Sequence, residues 1–96
     1  MKDKLLKIVQ HYGIEHQQRK LEEEVFELQQ AITIFENTDF GKWEDKKYMF
    51  TKDITEELGD VLNILKEIQL FYEITDKQLE SRYGKVDRQL ERIEKE

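Results

Sequence analysis

The chain is 96 residues long, carries 22 acidic and 16 basic side chains for a net charge of −6, and contains neither proline nor cysteine. That length admits one domain, residues 1–96, with a modest core, and the acidic balance gives no attraction to a phosphate backbone, which argues against duplex nucleic acid as a partner. Without cysteine there is no disulfide framework, thiolate zinc site or thiol nucleophile. No apolar run reaches membrane-spanning length and no signal peptide is visible, so no membrane partner is expected and the cytoplasm is the expected compartment.

Glu, Lys and Leu dominate, Gln is frequent and only four glycines are present, a composition that favours helix throughout. The first helix is expected from about Lys2 to Tyr12, with Leu5, Leu6, Ile8 and Val9 inward and Gly13 as its stop. The second is expected from about Glu15 to Asn37. Its apolar stripe is Leu21, Val25, Leu28, Ile32 and Phe35, spaced 4, 3, 4 and 3, the amphipathic helical period. Asn37, Asp39 and Gly41 are turn residues, and the pattern breaks from Thr38 to Lys47. The third helix begins between Lys47 and Lys52 and ends near Tyr72, with Ile54, Leu58, Val61, Leu65 and Ile68 inward. Thr75 opens the fourth, where Thr75-Asp76-Lys77-Gln78 fits a capping box. That helix is expected to run to about Ile93 through Leu79, Tyr83, Val86 and Leu90, with the last residues frayed. The fold class is therefore all-α, with four helices. A chain this small and this charged is expected to bury its remaining apolar faces against further copies, as a homodimer or homotetramer.

Two short acidic patterns share one spelling: Glu23-Glu24-Val25-Phe26-Glu27 and Glu56-Glu57-Leu58-Gly59-Asp60. At 3.6 residues per turn, Glu24 and Glu27 lie at about −60° and −120° from Leu21, and Glu57 and Asp60 lie at about the same angles from Ile54. Both helices thus carry their acids on the same flank of an apolar stripe. Packed antiparallel, they are related by a local two-fold axis, which brings all four carboxylates to one end of a hydrophobic interface. Four such charges within roughly 4–6 Å would raise one another's pKa values and destabilise the fold unless cations were bound. An all-oxygen ligand set selects hard ions, Mg²⁺ first and Mn²⁺ second. A di-iron bundle would need Glu-x-x-His, and neither His11 nor His16 stands in that relation to these acids. One Glu-x-x-Glu pattern on a helix is ordinarily a solvated face. Two matching patterns on helices that pair make a metal site an expectation of similar weight.

The combination resembles the MazG-like all-α nucleoside triphosphate pyrophosphohydrolases, whose signature is E-E-x-x-E, a spacer, then E-x-x-D. The resemblance covers essentially the whole chain. It is carried by Glu23-Glu24-x-x-Glu27 and Glu57-x-x-Asp60, by Gln18-Arg19-Lys20-Leu21 ahead of the first motif, and by Lys85-Val86-Asp87-Arg88, which with Arg92 is similar to the K-x-x-R-x-x-x-R ending of short members. The 29 residues between Glu27 and Glu57 sit at the long edge of the usual spacer. The resemblance implies Mg²⁺-dependent cleavage of a nucleoside triphosphate between the α and β phosphates, giving monophosphate and pyrophosphate. It implies metal ligation by Glu24, Glu27, Glu57 and Asp60, with Glu23 holding a second ion or orienting the attacking water.

Lys85, Arg88 and Arg92 are spaced to line one helix face and are candidates for neutralising the departing pyrophosphate, as is Lys20, one turn before Glu24. Asn63, one turn after Asp60, is a candidate substrate donor or a partner for a neighbouring carboxylate. Trp43, Tyr48 or Phe50 offers a stacking surface for a base or a packing anchor, and His16 is expected to be structural or exposed. The rival expectation is a non-catalytic module of the same fold that binds nucleotide without turnover.

Overall fold

The computed structural model describes residues 1–41 and 44–96, without the side chain of Asp45. Every regular element among them is helical: α1 (Lys2–Tyr12), α2 (Ile14–Asn37), one 3₁₀ turn (Glu44–Lys46), α3 (Lys47–Phe71), α4 (Asp76–Glu80) and α5 (Tyr83–Lys95). The first three boundaries fall within a residue or so of those expected from periodicity. Gly13 alone separates α1 from α2. Its N–H donates to Val9 O at 2.8 Å and its carbonyl accepts from Gln17 N–H at 3.2 Å. It therefore closes one helix and opens the next, at φ 88° and ψ 153°, a conformation essentially restricted to glycine.

The end of α3 is closed differently. Ile74 N–H reaches Gln69 O and Glu73 N–H reaches Leu70 O, the paired bonds of a Schellman motif, with Glu73 in the left-handed region at φ 56°. The capping box at Thr75 is present in full, with Gln78 N–H on the Thr75 hydroxyl and the Gln78 side chain on Thr75 N–H. The fourth helix is interrupted at Ser81–Arg82, where one continuous helix was expected. The Ser81 hydroxyl donates to Gln78 O at 2.6 Å and Arg82 N–H bonds back to Leu79 O. The chain thus takes a tighter turn as a side chain competes for the backbone.

α3 lies between α1 and α2 and packs against both, most extensively against α2. The α2–α3 pair is antiparallel: Gln17 bonds to Glu67, Glu24 meets Asp60, and Ile34 meets Phe50 across a smaller cleft. The rings of Phe35, Phe40 and Phe50 close the far end, with centroids 5.0 and 5.5 Å apart. The inward line of α3 is rotated from the expected one. Val61 and Ile64 are buried, while Leu58 and Leu65 are each 45% exposed. Leu58, Leu62 and Leu65 form a second apolar line, spaced 4 and 3, that faces away from α2.

Among the described residues, the fully enclosed hydrophobic core is only Val9, Val61 and Ile64. α4 and α5 pack little against the other helices, and the expected stripe of Leu79, Tyr83, Val86, Leu90 and Ile93 is exposed throughout. The radius of gyration is 17.4 Å, against about 12.5 Å for a compact chain of this length. Among the described residues, no helix is long and apolar enough to cross a membrane. Replacing Gly13 by Ala is expected to cost about 1–3 kcal/mol of stability, from the forced left-hand-side φ at the α1–α2 junction. Chemical denaturation of the two proteins checks this.

Candidate metal centre

The acids of the two patterns meet where α2 and α3 cross. Glu24, Glu57 and Asp60 each place a carboxylate oxygen within 4.8 Å of the others. The helical period explains the meeting. Glu57 and Asp60 are three apart and share a face of α3, and the antiparallel register sets that face against Glu24 of α2. Glu24 is 7% exposed. Its Oε1 is paired with Lys20 Nζ at 3.3 Å, whereas its Oε2 is enclosed and has no hydrogen-bond partner among the described residues. Glu57 Oε2 is in the same position. Two shielded carboxylate oxygens without donors on one small cluster cost free energy as they stand.

The electrostatics follow from that crowding. Burial pushes the Glu57 carboxyl above the usual carboxylate range, and its contact with Glu27, with Asp60 and Glu24 nearby, adds to the rise. Glu27 therefore abuts Glu57 but lies outside the tight group of three, and it also lines the smaller cleft on the other side with Asp53 and Glu56. The Lys20 ammonium is raised, first by its bond to Glu24 and then by the neighbouring acids. Lys20 thus stands beside the acids as the counter-ion of one of them.

The donor set fits a hard divalent cation. It is all oxygen and partly dehydrated, and it holds two unused acceptor atoms within one cluster. A cleft of about 600 Å³ runs from this cluster along α1, and Lys20, Glu23, Glu24, Asp60 and Asn63 are on its wall. Of these, Glu23 is exposed. Lys85, Arg88 and Arg92 are exposed on α5, and none of the ion pairs among the described residues involves them. Trp43 lies outside the described residues, while Tyr48 is exposed and Phe50 belongs to the aromatic cluster at the far end.

The same cleft holds two polar residues that motif reading did not single out. Gln17 and Glu67 are 4% and 3% exposed, and Gln17 Nε2 donates to Glu67 Oε1 at 3.2 Å. Burial raises the Glu67 carboxyl, partly offset by the Gln17 bond. The available signal was spacing. Gln17 precedes Glu24 by seven residues and Glu67 follows Asp60 by seven, so each pair lies on a single helix face.

Because Glu57 and Glu67 are raised in the folded chain, folding favours their protonated forms. Metal-free stability is therefore expected to fall as pH rises from the unfolded carboxylate range through the raised values. Glu57→Gln is expected to raise the metal-free melting temperature at neutral pH. Were Mg²⁺ to bind this cluster, it would stabilise the unaltered chain by about 2.7 kcal/mol at a hundred times the Kd, and Glu57→Gln is expected to remove that gain. Melting curves with and without Mg²⁺ measure both effects. Comparison with family models, with curated proteins and with solved structures finds no match to this chain.

Proposed function

We propose that the chain is a Mg²⁺-dependent nucleotide pyrophosphohydrolase of the MazG-like type, cleaving nucleoside triphosphates between the α and β phosphates. The observation that carries this reading is the pair of shielded, partnerless oxygens, Glu24 Oε2 and Glu57 Oε2, in the group they form with Asp60. Glu24, Glu57 and Asp60 would hold the ion, with Glu27 completing the set from beside Glu57. A bound divalent cation supplies charge neutralisation at phosphate oxygens and acidifies a coordinated water. Mn²⁺ is the natural substitute, being a hard ion that accepts the same oxygens.

The chain's own groups divide the remaining tasks. Glu23, exposed on the cleft wall, would accept a proton from an attacking water or hold a second ion. Lys20 already stands beside Glu24 and offers its ammonium to a phosphate oxygen once a cation takes over that carboxylate. Asn63, on the cleft wall, offers an amide donor to the substrate.

Lys85, Arg88 and Arg92 require an assembled protein. We infer that a second copy of this chain covers the outer faces, as a homodimer or a pair of such dimers. Among the described residues only three hydrophobic side chains are enclosed, few for a domain of this length. The Leu58–Leu62–Leu65 line and the stripe of α5 together present the apolar surface that a permanent interface needs. In such an assembly α5 brings its cations to the phosphates held by either copy.

A pyrophosphate-release assay across a nucleotide panel with Mg²⁺ tests the activity, and Glu57→Gln is expected to lower turnover by about a hundred-fold or more. Nucleotide binding with no release from any member of the panel would instead identify a non-catalytic module of the same fold. Leu62, 55% exposed in the protomer, tests the assembly. Leu62→Glu is expected to shift the mass measured by light scattering toward the monomer, and an unaltered mass would remove this face from the interface.

A further inference from the structure

The cleft extends past the acids to two buried polar side chains. α2 and α3 each carry a polar side chain seven residues from a metal-site acid, Gln17 from Glu24 and Glu67 from Asp60. Seven residues are two turns, about 10.5 Å along a helix axis, which is comparable to the reach from a nucleotide's α-phosphate to the far edge of its base. The antiparallel register puts both displacements in the same direction, so Gln17 and Glu67 meet at one place on the wall of the cleft that also holds Glu24 and Asp60.

The hydrogen-bonding capacity there is only partly used. Gln17 Oε1 lies 2.8 Å from His16 Nδ1, and one Gln17 amide hydrogen goes to Glu67 Oε1. The second Gln17 amide hydrogen and Glu67 Oε2 have no protein partner among the described residues. The wall thus presents an acceptor beside a donor, both on side chains more than nine-tenths buried. Around them the cleft is apolar and aromatic. Leu5 and Ile8 line it from α1, and the rings of Tyr12 and His16 stack at 4.8 Å with 17° between planes. Flat apolar walls with one polar edge suit a heteroaromatic base.

We propose that this inner end is the base-recognition subsite, and that Glu67 with Gln17 selects amino bases, cytosine and adenine, over their keto counterparts. The inference rests on the nucleotide reading above and adds the substrate class. With Glu67 in its ionised form, the exocyclic amino group donates to Glu67 Oε2 and the adjacent ring nitrogen accepts from the Gln17 amide, the pairing that carboxylate and amide side chains make with such edges. Uracil and hypoxanthine instead turn a carbonyl oxygen toward Glu67 and an N–H toward Gln17. Acceptor then meets acceptor and donor meets donor in a dehydrated place, where mismatch is costly. Leu5, Ile8 and the Tyr12 ring hold either kind of base equally well, so they supply affinity without choice.

Two matched pairs, CTP with UTP and ATP with ITP, differ in the amino or keto group alone. Their kcat/KM values with Mg²⁺ are measured on the unaltered chain and on Glu67→Gln, alongside calorimetric binding of the α,β-methylene analogues of CTP and UTP. The unaltered chain is expected to favour the amino member of each pair by about ten-fold or more. Glu67→Gln keeps the shape, and its amide turns either way to meet an amino or a keto group, so both ratios are expected to fall to within about two-fold of unity. Its Mg²⁺-induced rise in melting temperature is expected to be unchanged. Tyr12→Ala, at a position 55% exposed and safe for folding, is expected to raise KM for all four nucleotides by about ten-fold with both ratios preserved.

Equal use of the two members by the unaltered chain overturns the inference. So does a ratio that survives Glu67→Gln, or a Tyr12→Ala protein with unchanged KM. If no nucleotide is hydrolysed but the CTP analogue binds at least ten-fold tighter than the UTP analogue, the proposed activity fails and the base subsite stands. If neither analogue binds, both fail.

Discussion

The antiparallel contact between α2 and α3 governs this protein, because it is where the chain places carboxylates at a helix interface. Glu24, Glu57 and Glu67 stand at positions that an ordinary helix pair would fill with Leu or Ile. Each loses water there, and Glu57 is repelled by its neighbours as well. Lys20 answers one oxygen of Glu24 and Gln17 one of Glu67. Apolar residues of similar volume would hold the helices together at least as well. On the proposed reading, a cation in one place and a base edge in the other would satisfy both sets of polar groups.

The same contact explains why the protomer leaves so much apolar surface open. α3 carries two apolar lines. One, through Val61 and Ile64, faces α1 and α2. The other, through Leu58, Leu62 and Leu65, stays about half exposed, with Ile74 and Leu79 beside Leu62 and Leu65. α5 carries a third unpartnered stripe. With three enclosed hydrophobic residues among those described and an extended outline, the chain has the character of half a bundle. On the proposed reading the assembly completes both the core and the ring of cations around the phosphates, so stability and activity would depend on one association.

Register links the two ends of the cleft. Because α2 and α3 run in opposite directions, equal seven-residue steps from Glu24 and from Asp60 bring Gln17 and Glu67 together. α1 is held across the opening by the single-residue junction at Gly13, and it contributes Leu5, Ile8 and Tyr12 as the wall. A separate domain or a long loop is not needed to assemble a pocket with a charged end, a polar end and apolar sides.

Much of the fold was legible in the chain because helical periodicity, glycine at Gly13 and the Thr75 capping box act locally. Helix boundaries, the amphipathic faces and the common flank of Glu24, Glu57 and Asp60 all follow from 3.6 residues per turn. What local pattern could not decide is rotation about the helix axis. α3 has apolar residues on more than one side, so Ile64 and Glu67 turned inward where Leu58 and Leu65 were expected. Likewise Glu27 fell beside the acidic group and Ser81–Arg82 broke the last helix. The sequence by itself determined the elements and which acids share a face. The tertiary structure decided which of those faces meet, that Gln17 and Glu67 become a buried pair, and that α5 stays apart. The physical reason is that burial is a property of contacts between segments distant in the chain, and a helix with two apolar lines leaves that choice to packing.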